Sequence, residues 1–284
     1  MRRLKLAEAP APTAPGAFTP VPPARRVAKA DSSSIELFDG LTAGPPKRTT
    51  SIMKPITLWA VVHHLEGSLS LAQAKLALEA GMDGVFLISH DKIDHELPTL
   101  ATTVKTMRRL DGTALASGIN LQSISDPTAA FEVAAAHGLD AVWIDEPGIV
   151  AGEARGPALH LARARDLHDG PTKPRVFASV AFKYQPEDPY PAKSARAARA
   201  LGFTPTTSGL KTGEPPTLDK IRLMGGSGGR ELAVASGMAP ANVAGFRHLV
   251  TDVLVATGVS LDEHHFDPDK LRDFVGAARS ASRT

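Results

Sequence analysis

Short apolar runs of four to seven residues recur along the chain, and most are followed by a longer segment with the 3.6-residue spacing of an amphipathic helix. The first, Ile56-Thr-Leu-Trp-Ala-Val-Val62, reads as a buried strand and ends in His63-His64-Leu65-Glu66-Gly67. Ser68 or Ser70 can cap a helix over 71–79 that stops at Gly81. Next come a strand at 84–88 closing on Ser89-His90-Asp91, a helix at about 94–110, and a strand at 116–121. Asp126-Pro127 is a strong helix start, an N-cap side chain followed by proline at the first helical position, and that helix ends at Gly138.

The unit then repeats. Gly81-Met-Asp-Gly-Val and Gly138-Leu-Asp-Ala-Val are the same helix stop, turn and strand, repeated more loosely around Gly202 and at Val250-Thr-Asp-Val-Leu-Val. The later strands are predicted at 141–144, 176–182, 203–207, 232–235 and 253–256. The helices between and after them are predicted at 157–167, 192–201, 218–224, 240–248 and from Asp267-Pro268 to about Arg279. Eight strand-then-helix units predict an α/β fold, a (β/α)8 TIM barrel over 53–284, with a doubly wound open sheet as the alternative.

Residues 1–52 break the pattern. Ala/Pro-rich stretches and paired arginines at Arg2-Arg3 and Arg25-Arg26 occur without an apolar period, the composition of a disordered arm. Such an arm could serve as a basic tether or a targeting segment, and Met53 stands as an alternative start. Residues 1–50 carry eight Lys/Arg and four Asp/Glu, so the rest of the chain is slightly acidic beneath an overall charge of +2, which argues against nucleic acid as a partner. Cysteine is absent, excluding disulfides, thiol nucleophiles and thiolate metal sites. No apolar run approaches the roughly 20 residues of a membrane helix, and the N-terminus lacks a secretory apolar block. The expectation is a cytoplasmic protein with no integral membrane association, compatible with a homo-oligomer.

In such a barrel the working face is built from the loops that follow the strands, so polar residues ending strands are the candidates. Asp145 follows Trp143-Ile144, where a carboxylate can act as a base, bind a sugar hydroxyl or simply cap a helix. Lys183 ends an apolar strand and suits a Schiff-base nucleophile, an electrostatic partner or a structural ion pair. His63 is a further proton carrier, and Asn120, His90 and Ser208 are candidate substrate contacts. Ser236-Gly237 and Thr257-Gly258 close the last two strands and leave backbone amides bare for a phosphate, with Lys211-Thr212-Gly213 beside them. Gly225-Gly-Ser-Gly-Gly229 precedes a strand, which puts it on the opposite face as a connector. Strands 1, 2 and 8 adjoin when the barrel closes, so His63, His64, His90, Asp91, His264 and His265 could approach one another around a divalent metal, the one candidate cofactor, although none shows a standard ligand spacing.

The order of these loop sequences resembles the BtpA family (BtpA/SgcQ) over residues 55–279. The matching pieces include Val62-His63 with Gly67-Ser68, Gly118-Ile-Asn120, and Gly152 with Arg165. Further on are Val180-Ala-Phe-Lys183, Ser208-Gly-Leu-Lys-Thr-Gly213 with Pro215-Pro216, and Ser236-Gly-Met-Ala-Pro-Ala-Asn242. The resemblance implies a phosphate-binding barrel. Its members are associated with photosystem I biogenesis in cyanobacteria and elsewhere look like enzymes of sugar or nucleoside metabolism. This chain departs from the family pattern at Ser89-His90, around Asn120, at Tyr184 in place of a histidine, and at Asp262-Glu263, where the family has a lysine. Two carboxylates there would oppose a phosphate by Coulomb repulsion.

Three functions are therefore expected in turn. One is an enzyme acting on a phosphorylated sugar or nucleoside-type ligand, with isomerase, lyase and glycosidic-bond cleavage all open. Another is a non-catalytic assembly factor that kept the barrel. The last is a metal-dependent hydrolase using the histidines.

Overall fold

The computed structural model describes residues 55–109, 111–225 and 231–280. The expectations for 1–52 and for most of the glycine-rich connector lie outside the described residues. Eight parallel strands close into a barrel in the order β1-β10-β9-β8-β7-β4-β3-β2. They are β1 (Thr57–His63), β2 (Gly84–Ile88), β3 (Ala116–Asn120), β4 (Ala141–Ile144), β7 (Arg175–Ser179), β8 (Thr204–Thr207), β9 (Ala233–Ala235) and β10 (Asp252–Val255). A small antiparallel hairpin, β5 (Ile149–Val150) with β6 (Glu153–Ala154), interrupts the loop after β4. The helices are α1 (Gly67–Ala80), α2 (Leu97–Thr106), α3 (Pro127–Ala136), α4 (Gly156–Leu167), α5 (Pro191–Ala200), α6 (Leu218–Gly225) and α7 (Pro268–Arg279). The barrel is the TIM-barrel architecture expected from the repeating unit, and among the described residues no helix is long and apolar enough to cross a membrane.

The repeated Gly-x-Asp unit has a common physical role. Asp83 accepts the Leu58 amide at 2.7 Å and Asp140 accepts the Ser117 amide at 2.9 Å. Each carboxylate thus ties the start of its own strand to the start of the preceding neighbour. Cations complete both sites: Lys105 lies 2.9 Å from Asp140, and Arg279 pairs with Asp83. The two Asp-Pro helix starts also form as expected, with Asp126 accepting the Thr128 amide and Asp267 those of Asp269 and Lys270.

Packing is in two shells. Aliphatic faces of the strands meet the helices outside, while Trp59, Phe86, Trp143, Phe177 and Leu254 fill the barrel interior. Trp59 and Phe86 lie 4.8 Å apart by ring centroid, and Phe86 and Phe177 5.1 Å apart. These rings fit because their register partners are glycines. Trp59 pairs with Gly84 and Phe86 with Gly118, and a Cβ at either glycine would come within 2.4 Å of the ring.

Several boundaries differ from the sequence expectation, each for a local reason. The strand predicted to reach Phe182 stops at Ser179, because Ala181 takes a left-handed φ of 47° and turns its carbonyl to Thr207 Oγ1 and Lys220 Nζ. The second helix starts at Leu97, since Asp94 is buried and accepts from Ser123 N and Oγ. The helix predicted at 240–248 shrinks to a 3-10 turn, Val243–Gly245. There Asn242 accepts the Ala239 amide and donates to the Gly237 carbonyl, a side-chain competition that disfavours a continuous helix. Ser68 and Ser70 do not cap α1; Ser70 is buried against His64.

Candidate active site

The C-terminal ends of the strands surround a cavity of about 520 Å³. Its floor is the aromatic and aliphatic interior, represented by Trp143, Phe182 and Leu254. Its polar wall carries His63, His90, Asp145, Lys183 and Thr212, and the loops Ser236-Gly237 and Thr257-Gly258 close the remaining side. Nine of the residues singled out in the sequence therefore meet in one place.

Asp145, just beyond β4, is held by Asn120, whose Nδ2 donates to Asp145 Oδ2 at 3.1 Å. Burial raises the Asp145 carboxyl above the ordinary carboxylate range, against the opposing pull of Asn120 and Lys183. Asn120 is thus a positioning group behind the acid. The loop after β7 supplies Lys183, whose Nζ donates to Thr212 Oγ1 at 2.9 Å, while burial lowers its ammonium below the ordinary lysine value. Ser208 is fully buried and accepts the Lys183 amide at 2.7 Å, so it fixes the lysine's backbone. Gln185, which carried no motif in the sequence, joins the two loops. Its Nε2 donates to the Asp145 carbonyl at 2.8 Å and its Oε1 accepts the Phe182 amide at 3.0 Å.

On the opposite side the amides of Ser236, Gly237, Thr257 and Gly258 have no acceptor among the described residues. The loops carrying them are locked together. A Cβ at Gly237 would meet the Glu214–Pro215 peptide at 2.1 Å, and one at Gly258 would meet the Met238 carbonyl oxygen at 1.9 Å. Ser236, at a φ of 72°, donates its hydroxyl to the Lys211 carbonyl. Lys211 and Gly213 lie outside the cavity lining, and Lys211 is exposed and pairs with Glu214 at 2.9 Å.

The histidines separate into distinct roles. His63 lies at the end of β1 with its ring 4.5 Å from that of His90, and burial, reinforced by His90, lowers its pKa to about 4. His90 Nδ1 lies 3.0 Å from Glu263 Oε1, and donor atoms of His63, His90 and Glu263 all fall within 4.8 Å of one another. His64 turns away to Ser70, His265 pairs with Asp262, and His264 contacts the His63 carbonyl; Asp91 is exposed. The two carboxylates that the sequence set against a phosphate are thus engaged by histidines, and neither lines the cavity. Glu263 is the member of this group that the metal reading of the sequence left out.

No protein-family model matches the chain, and no curated protein matches it. Its fold is similar to that of native KDPGal (TM-score 0.55, 15% identity, covering 80% of this chain and 96% of that one). It is also similar to phosphoribosyl anthranilate isomerase from Thermus thermophilus (TM-score 0.53, 14% identity, 78% and 98%). A third similar structure is a phosphoribosyl anthranilate isomerase in complex with reduced 1-(o-carboxyphenylamino)-1-deoxyribulose 5-phosphate (TM-score 0.50, 16% identity, 79% and 98%). At these identities the likeness establishes a shared barrel fold.

Proposed function

We propose that the chain is a BtpA/SgcQ-like enzyme that binds a phosphorylated sugar or nucleoside-type small molecule in this cavity, in the cytoplasm. The observation that carries the reading is the division of one cavity into two chemistries. Residues with unengaged backbone amides, in the loops after β9 and β10, line the same cavity as a desolvated carboxyl and a desolvated ammonium from the loops after β4 and β7. Amides suit a phosphate because they offer fixed donors without a counter-charge, and the loops after the last strands are where barrels of this kind hold one. The phosphorylated ligand of the isomerase complex supports the same class of substrate.

Asp145 takes the role of general base. A carboxyl raised toward neutrality accepts a proton more readily than an ordinary surface aspartate, and Asn120 holds its outer oxygen in place. Lys183 stabilises negative charge that develops on the substrate, steered by Thr212. The reaction class this pair serves is proton abstraction beside a carbonyl or cleavage of a bond next to one.

A thermal-shift series with inorganic phosphate, pentose and hexose phosphates and nucleotides tests the reading. A ligand at 100 times its dissociation constant adds about 2.7 kcal/mol, or about 5–10 °C for a domain of this size. Lys183→Ala should shrink that shift, and Asp145→Asn should keep the shift while abolishing turnover. Absence of a shift with every phosphorylated compound, or full turnover in Asp145→Asn, would sink it.

A further inference from the structure

His63, His90 and Glu263 come from the ends of β1 and β2 and the loop after β10, three neighbouring corners of the closed barrel. Their donor atoms lie within 4.8 Å of one another. We propose that this trio is a divalent transition-metal site, best matched to zinc, with its open coordination position turned into the cavity.

Four observations carry the assignment. The donor set, two imidazoles and one carboxylate, suits zinc and similar ions better than magnesium or calcium, which prefer all-oxygen shells. Three protein ligands leave a fourth position for water or a substrate oxygen, the pattern of a catalytic rather than a structural zinc. His63 Nδ1 is buried without a hydrogen-bond partner, a ring nitrogen that a metal ion would engage. Finally, His63 and His90 both line the cavity, which gives the ion direct access to whatever binds there.

The geometry needs only side-chain adjustment. Bonds of about 2.0–2.2 Å to a tetrahedral ion put ligand atoms roughly 3.3–3.6 Å apart, so the trio must contract by about an ångström. His90 and Glu263 are half exposed and already 3.0 Å apart, so they can rotate around an incoming ion while His63 stays in the wall. The His264 ring against the His63 carbonyl steadies the strand end behind it. His265 and Asp262 satisfy each other nearby and provide an internal control.

The test uses tag-free full chain stripped with chelator, titrated with Zn²⁺ by calorimetry and with Co²⁺ by visible absorption. The expected result is one ion per chain, with a Co²⁺ spectrum of four- or five-coordinate intensity. His90→Ala and Glu263→Gln, both at half-exposed positions, should each weaken binding at least tenfold, while His265→Ala leaves it unchanged. Matching melting points of the metal-free variants guard against misfolding. Absence of saturable binding, or binding that His90→Ala and Glu263→Gln leave intact, would overturn the assignment. Phosphate-ligand shifts measured on the metal-free chain separate this outcome from the fate of the phosphate reading.

Discussion

Arg175 at the start of β7 grips Asp252 at the start of β10 with two parallel hydrogen bonds, Nη1 to Oδ1 and Nη2 to Oδ2, both 2.8 Å. Two strands separate β7 from β10 in the barrel, so the pair spans the interior instead of joining neighbours. Asp252 is fully buried and also accepts from Trp59 Nε1 at 3.0 Å and Thr251 Oγ1 at 2.7 Å. The guanidinium in turn lies 4.8 Å from the centre of the Phe177 ring. Polar closure at the N-terminal end is thereby joined to the aromatic layer above it.

Removing one partner of this pair leaves a desolvated charge. Arg175→Met is expected to cost about 3–5 kcal/mol, and denaturant unfolding measures it. The double variant Arg175→Met with Asp252→Leu should recover part of that loss, since an apolar replacement of both partners removes the uncompensated carboxylate. A single-variant cost below 1 kcal/mol would mean that water reaches Asp252.

Asp145 should trade stability for chemistry. Its folded-state pKa is raised, so the folded chain holds a proton that the unfolded chain has already released, and stability falls as pH rises through that window. The penalty is absent well below the ordinary aspartate value and complete only above the raised folded-state value. Asp145→Asn is therefore expected to melt at or slightly above the parent at pH 7, with the advantage fading toward pH 4. An advantage that grows on acidification would reverse the sign of the argument.

Glycine replacements should split sharply by position. Gly258→Ala drives a methyl into the Met238 carbonyl and is expected to cost more than 2 kcal/mol. Gly276→Ala, in α7 with nothing within 4 Å of the added carbon, should gain roughly 0.5–1 kcal/mol. Parallel thermal melts of the two variants check both signs at once.

Lys183 shares its partial burial with Lys220, but of the two it alone lines the cavity. Any ligand contact that needs its charge should fade on the alkaline side earlier than an ordinary lysine would allow, because its pKa is lowered mainly by desolvation. A phosphate-ligand thermal shift measured from pH 7 to 10 should decline early in the parent and stay level in Lys183→Arg, where a guanidinium remains charged. A decline that persists in Lys183→Arg would assign the titration elsewhere.

Much of the architecture was legible because it repeats. Gly81-Met-Asp and Gly138-Leu-Asp mark the same turn twice, and the Asp-Pro pairs name two helix starts. What sequence could not show was any preference settled by a distant partner. Asp94 abandons a helix start for Ser123, and Asn242 spends its amide on the loop around it instead of on a helix. The cavity wall was visible as strand-end polar residues, yet Glu263 read as a charge hostile to phosphate. Only barrel closure, across 173 positions, makes it the partner of His90. Gln185 was silent for a related reason: a glutamine bridging two loops has no local pattern.

The interlocked glycines also limit how such a barrel can change. Because Gly237 abuts the Glu214–Pro215 peptide and Gly258 the Met238 carbonyl, the segments after β8, β9 and β10 behave as one inherited block. Grafting one of them from another barrel would collide with its neighbour in this series of contacts, whereas the segments after β4 and β7 are tied to each other by Gln185 and to the block by Lys183 through hydrogen bonds alone. New substrate preferences should accordingly arise on the Asp145–Lys183 side, and chimeras that keep 208–258 intact should be the ones that fold.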